Sequence, residues 1–110
     1  MQYHHTGVIT SQKQPNAVYV EATKVWVTNP QDHPYQIEFL HFEPDTPVQP
    51  PLSDHCHTAY TVDDLDAAIE GKNVLLGPFD ALEGLRVVFV EEDGAVIEFM
   101  QFSAGRTEIS

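Results

Sequence analysis

Two segments of this chain share an unusual pattern: "YQIEFLHF" at residues 35–42 and "AVIEFMQF" at 95–102 are apolar runs with a carboxylate set between an Ile and a Phe. Side chains on a strand alternate between faces. Glu98 therefore shares a face with Val96, Met100 and Phe102, while Ile97 and Phe99 take the other; Glu38 shares a face with Leu40 and Phe42. Both segments read as strands covered on both sides, each with a glutamate among its apolar neighbours. Each follows another apolar run that ends in turn chemistry. "KVWVTN" precedes residues 30–34, which begin and end with proline, and "LRVVFV" precedes "EEDG". Both pairs predict hairpins, and Asp93-Gly94 is the better turn signal, because that dipeptide suits a two-residue connection.

A second pair of similar segments lies upstream: "HTGVIT" from His5 and "HTAYTV" from His57. The separations are 57 − 5 = 52 and 98 − 38 = 60 residues, each about half of the chain. Two copies of one module are predicted, with module one over about 1–43, a linker at 44–54 and module two over 55–110, together making one domain. The second copy holds "VDDLDAAIEG", where Asp63 is placed to cap a helix, Leu65, Ala68 and Ile69 share one helical face, and Gly71 supplies a stop. The first copy has "SQKQPNAVYVEA" there, with Pro15 and no helical period, so its helix is expected to be missing or reduced to a turn. The linker carries Pro44, Pro47, Pro50 and Pro51 and reads as extended, spanning on the order of 35 Å at about 3 Å per residue.

Charge narrows the function classes. Lys13, Lys24, Lys72, Arg86 and Arg106 face 17 acids, for a formal net charge of −12. Nucleic acid and anionic membrane surfaces are disfavoured as partners, and so are ligands with several phosphates. The polar start "MQYHHT" lacks the cationic flank and apolar segment of a secretion signal, and no apolar run is long enough to span a membrane. A single cysteine, Cys56, fits a reducing compartment, so a cytoplasmic protein is expected.

The paired glutamates carry the candidate chemistry. A carboxylate on a strand covered on both faces loses hydration, and two brought together by a module repeat also repel, so a cation, a donor or a proton is required. A bound divalent metal meets that need. His5 and His57 head their strands, with Gly7 and Ala59 two positions on and on the same face, where their small side chains leave room beside each imidazole. Two neutral imidazoles and two carboxylates make a charge-balanced set for Zn, Ni, Fe, Mn or Co. His4 and His41 fall on the opposite strand faces from these ligands. His55 shares the face of His57 and is a candidate for a supporting or substitute role. Tyr60, Trp26 and the phenylalanines read as core, Arg86 as a surface ion-pair partner, and Cys56 has no assigned role.

The "HTGVIT" and "HTAYTVDDLD" starts and the "IEFLHF" and "IEFMQF" ends resemble the vicinal oxygen chelate superfamily, which includes glyoxalases, fosfomycin-resistance proteins, extradiol dioxygenases and methylmalonyl-CoA epimerases. The resemblance covers nearly the whole chain. It implies an α+β fold of two βαβββ-type modules forming a cupped mixed sheet, a metal held by His5, Glu38, His57 and Glu98, and a homodimer. The His, Glu, His, Glu order resembles bacterial glyoxalases in particular. A metal-dependent lyase or isomerase is implied, acting on a small carbonyl substrate with adjacent oxygens, with Glu38 or Glu98 as base. The alternative is a non-catalytic small-ligand-binding protein on the same fold.

Overall fold

β-Branched and aromatic residues in these runs pack well on a pleated surface. In the computed structural model, which describes residues 1–103, they form β1 (Gln2–Ile9), β2 (Val18–Val20), β3 (Val25–Val27), β4 (Ile37–Phe42), β5 (His57–Thr61), β6 (Asn73–Leu82), β7 (Leu85–Glu92) and β8 (Ala95–Phe102). The helical elements among the described residues are α1 (Leu65–Ala68) and a single 3₁₀ turn at Pro30–Asp32. The fold is thus α+β, a mixed sheet with very little helix. Arg106 and the end of the second module lie outside the described residues.

The chain divides into two compact units, His5–His57, and Met1–His4 with the chain from Thr58 onward. In the first, the strands lie in the order β2-β3-β4-β1, and in the second in the order β6-β7-β8-β5. Each module therefore places its first strand beside its last, so the internal repeat holds in the topology as well as in the sequence. β1 runs parallel to β4 with Gly7 opposite Glu38, whereas β2 with β3, β3 with β4, β6 with β7 and β7 with β8 are antiparallel.

Both predicted hairpins form. β7 and β8 join through Asp93 and Gly94, with φ of 54° and 83°. Positive φ at both central residues is what a two-residue turn between twisted strands requires. β3 and β4 join through the 3₁₀ turn, where the Asn29 side chain accepts from the Gln31 amide at 2.9 Å. As expected, no helix stands between β1 and β2 in the first module, while the second has α1. The capping residue differs from expectation: Asp64, not Asp63, accepts from the Ala67 amide at 3.2 Å. Leu65 is fully buried, in a cluster with Val88, Val90 and Phe99, and Ala68 and Ile69 pack against it. The helical face was therefore placed correctly. The helix closes at Ile69, and Gly71, at φ 77°, serves the turn just beyond it, where the Lys72 amide bonds to the Ile69 carbonyl, rather than the helix stop itself.

The proline-rich segment is not the extended linker its composition implies. It lies within the first unit and turns repeatedly, with the Thr46 amide bonded to the Glu43 carbonyl and the His55 amide to the Pro51 carbonyl. Its Leu52 is buried. Two side-chain contacts fasten it to the β2–β3 turn: the Thr46 hydroxyl donates to the Thr23 carbonyl, and Lys24 Nζ lies 2.6 Å from Asp45 Oδ2. The hydrogen bond of that pair raises the Lys24 pKa and lowers that of Asp45. The Asp45 contribution is present above its unfolded pKa and lost as pH falls through the lowered folded value. The Lys24 contribution is full below its unfolded pKa and lost as pH rises through the raised one. Because both groups are exposed, screening leaves little net gain. Asp45→Asn is expected to shift the thermal midpoint barely measurably, by an amount constant across neutral pH that vanishes in acid. A large shift at neutral pH in moderate salt would show that the tie governs folding of the turn.

Candidate metal centre

The first unit brings three of the four nominated ligands together. β1 supplies His5, β4 supplies Glu38, and His57 opens β5. One ligand atom from each lies within 4.8 Å of the other two. His5 Nε2 is 3.5 Å and His57 Nε2 3.8 Å from the same atom, Glu38 Oε1. The imidazole rings meet edge to face, with centroids 5.6 Å apart. His5 and His57 are buried, and Glu38 is the most open of the three, its side chain keeping 15% exposure.

Strand geometry produces this convergence. Gly7 pairs with Glu38 across β1 and β4, so the two share a sheet face, and His5, two residues before Gly7, lies on that face too. A Cβ built on Gly7 would run into the His57 ring, within 2.6 Å of its Nε2. The missing side chain is the space the imidazole fills. The sequence had Gly7 making room beside His5; the ring it clears is that of His57.

The donor set fits a divalent transition metal. Two ligand atoms each about 2.1 Å from one ion lie roughly 3 Å apart at a right angle and about 4.2 Å apart when opposed. The 3.5 and 3.8 Å separations fall inside that window. They also exceed ordinary hydrogen-bond length. Two imidazole nitrogens with a carboxylate oxygen suit Zn, Fe, Ni, Co or Mn better than Ca or Mg.

Glu98 lies in the other unit, on β8, and is buried. It pairs with Phe89 on β7 and shares its face with Val96 and Met100. The predicted placement of a carboxylate on a covered strand therefore holds. Ala59, also in this unit, is fully buried in the cluster formed with Leu85, Val87 and Met100.

The other candidates take no part in this cluster, and His55, which strand counting put on the face of His57, lies ahead of β5 and points to solvent. His41 turns its Nδ1 to the Thr10 carbonyl at 3.1 Å. His55 is exposed and its Nδ1 lies 2.6 Å from Asp54 Oδ1. Arg86 reaches Asp66 at 3.7 Å on the surface, and Cys56 is exposed. Tyr60 packs against the helix cluster. Trp26 is not core: it is half-buried, with the Tyr19 ring 4.9 Å away, the Lys13 ammonium 4.3 Å from its centroid, and its indole N–H donating to Glu43. No helix among the described residues is long and apolar enough to cross a membrane.

No family model matches this chain, and no curated protein matches it at a significant level. Solved structures do match, among them the crystal structure of hypothetical protein BH1468 from Bacillus halodurans C-125, with a TM-score of 0.60 over 97% of this chain and 98% of that one, at 14% sequence identity. At that identity the likeness shows a shared fold and nothing of activity.

Proposed function

We propose that this protein is a glyoxalase-like, metal-dependent enzyme of the vicinal oxygen chelate type, a lyase or isomerase acting on a small carbonyl compound with adjacent oxygens. The observation that carries this reading is the convergence of two buried imidazoles on one carboxylate oxygen at spacings that suit a bound ion. The module order, repeated with the first strand beside the last, supports it. His5, Glu38 and His57 would hold a divalent ion, which would supply Lewis-acid polarisation of a substrate carbonyl. Burial holds the His5 and His57 rings in place. Glu38, the most exposed of the three, is the group to accept a proton from the substrate carbon. The repeat nominates Glu98 as fourth ligand and second candidate base. A cytoplasmic homodimer is part of the same proposal.

A second reading is favoured by the ligand types already brought together. Two histidines and one carboxylate, with positions left open, are the set that suits Fe(II) and dioxygen chemistry.

Metal analysis of protein purified without chelator, beside Glu38→Gln and Glu98→Gln, tests both. About one Mn, Fe, Co, Ni or Zn per chain is expected in the parent protein. Glu38→Gln is expected to weaken binding by more than the 10- to 100-fold that loss of an outer partner alone costs. Loss in Glu98→Gln as well supports the two-His, two-Glu centre; full retention there moves the preference to the Fe(II) reading. No metal in the parent protein even after reconstitution sinks both enzyme readings and leaves a non-catalytic ligand-binding protein.

A further inference from the structure

The sheet face that carries the metal ligands in the first unit is otherwise entirely apolar. Glu38 shares its side of β4 with Leu40 and Phe42. The registers put Ile9 of β1 and Val27 of β3 beside Leu40, and Val25 beside Phe42. β2 extends the same face with Val18 opposite Val27 and Val20 opposite Val25. Leu40 and Val25 are buried and Ile9, Val27 and Phe42 half-buried, while at the sheet edge Val20 and Val18 are 38% and 65% exposed. A floor of aliphatic and aromatic side chains thus leads from Glu38 outward to open valines.

The polar groups of this unit's sheet are on the other side. Trp26 pairs with His41 and with Tyr19 on that opposite face, and the Lys13 ammonium lies over the Trp26 ring. Lys24 is held by Asp45. These two lysines are the only basic residues besides histidine between positions 5 and 57, and neither serves the metal-bearing face.

Resting on the enzyme reading above, we propose that the substrate is an uncharged compound whose oxygen-bearing head meets the metal ligands and whose apolar body, an aryl or branched alkyl group, lies on this floor. Carboxylated or thiol-peptide conjugates are disfavoured. An apolar body gains by leaving water for such a surface. An anionic body would lie on a floor that offers it no lysine or arginine, in a protein of net charge −12.

The test uses Co(II)-loaded full-length protein and three probes with the same pair of adjacent oxygens: acetohydroxamate, benzohydroxamate and 4-carboxybenzohydroxamate. Binding is read from the visible spectrum of the cobalt centre, without any need for turnover. Benzohydroxamate is expected to bind about tenfold tighter than acetohydroxamate, for the phenyl area it covers, and the added carboxylate to reverse much of that gain. Equal binding of the first two, or tighter binding of the carboxylated probe, overturns the substrate class while leaving the metal centre standing. No cobalt bound, or a bound cobalt whose spectrum ignores all three probes, fails the enzyme reading and this proposal with it. Val27→Lys adds a cation to the floor and is expected to shift the ratio of carboxylated to plain benzohydroxamate affinity several-fold in favour of the former. Val20→Lys, at an exposed edge position that folding tolerates, makes the same shift in the same direction if Val27→Lys does not fold. An unchanged ratio in a folded variant shows that the body of the ligand does not lie on this face.

Discussion

Gly7→Ala is expected to abolish metal binding while leaving the strands in place. The added methyl would stand within 2.6 Å of His57 Nε2, where non-bonded heavy atoms settle at about 3.5–4.0 Å. His57 is buried, and its ring has little room to retreat. Displacement by about 1 Å exceeds the roughly 0.2 Å tolerance of a metal–ligand bond. In the metal-free protein the overpacking is expected to cost about 1–3 kcal/mol, set against a small gain from replacing glycine in a strand. Metal content and denaturant midpoint measure the two effects separately. The double variant Gly7→Ala, His57→Ala isolates the collision: it should recover the metal-free stability lost in Gly7→Ala, because the ring that was struck is gone. Metal binding by Gly7→Ala at the parent affinity would mean that His57 is not a ligand or that the strand shifts freely, and the centre as described would fall.

Much of this arrangement was legible because it is local. Asp93-Gly94 between two apolar runs encodes its turn in two residues, and the helix face of Leu65, Ala68 and Ile69 follows from spacing alone. The glutamate positions within 35–42 and 95–102 place each carboxylate on a strand face by counting. What escaped depends on contacts distant in sequence. Pro44, Pro47, Pro50 and Pro51 argue for an extended segment only while nothing binds it; Lys24, Thr23 and the burial of Leu52 turn it back. Trp26 is apolar enough to be read as core, yet its partners Tyr19, Lys13 and Glu43 come from three other segments and hold it at the surface. Gly7 was rightly seen as making room, but which imidazole fills that room depends on how His57, 50 positions on (57 − 7 = 50), is brought back to β1. Asp64 rather than Asp63 caps α1 because the helix starts at Leu65, and element ends are decided by a residue or two.

Leu65→Ala is expected to cost about 2–5 kcal/mol, the range for emptying a buried leucine site. Leu65 is fully buried against Val88, Val90 and Phe99. A helix of four residues has no stability of its own, since nucleating a turn is unfavourable in isolation. Two things hold this one: the Leu65 side chain in its cluster, and the polar bonds at its start, where Asp64 accepts from Ala67 and the Leu65 amide donates to Gln101 at 2.8 Å. Loss of the cap in Asp64→Ala is expected to cost about 1 kcal/mol. Denaturant unfolding ranks the two: the Leu65→Ala midpoint should fall at least twice as far as that of Asp64→Ala, with the denaturant slope unchanged if the native sheet is intact. The order matters for β8. Its Phe99 faces the Leu65 cluster, and strand alternation turns Glu98 to the other side, so packing against α1 is what fixes one face of the strand that carries the buried carboxylate. Equal costs for the two variants would show that the helix is held by its cap alone, and the position of Glu98 would then owe nothing to the helix.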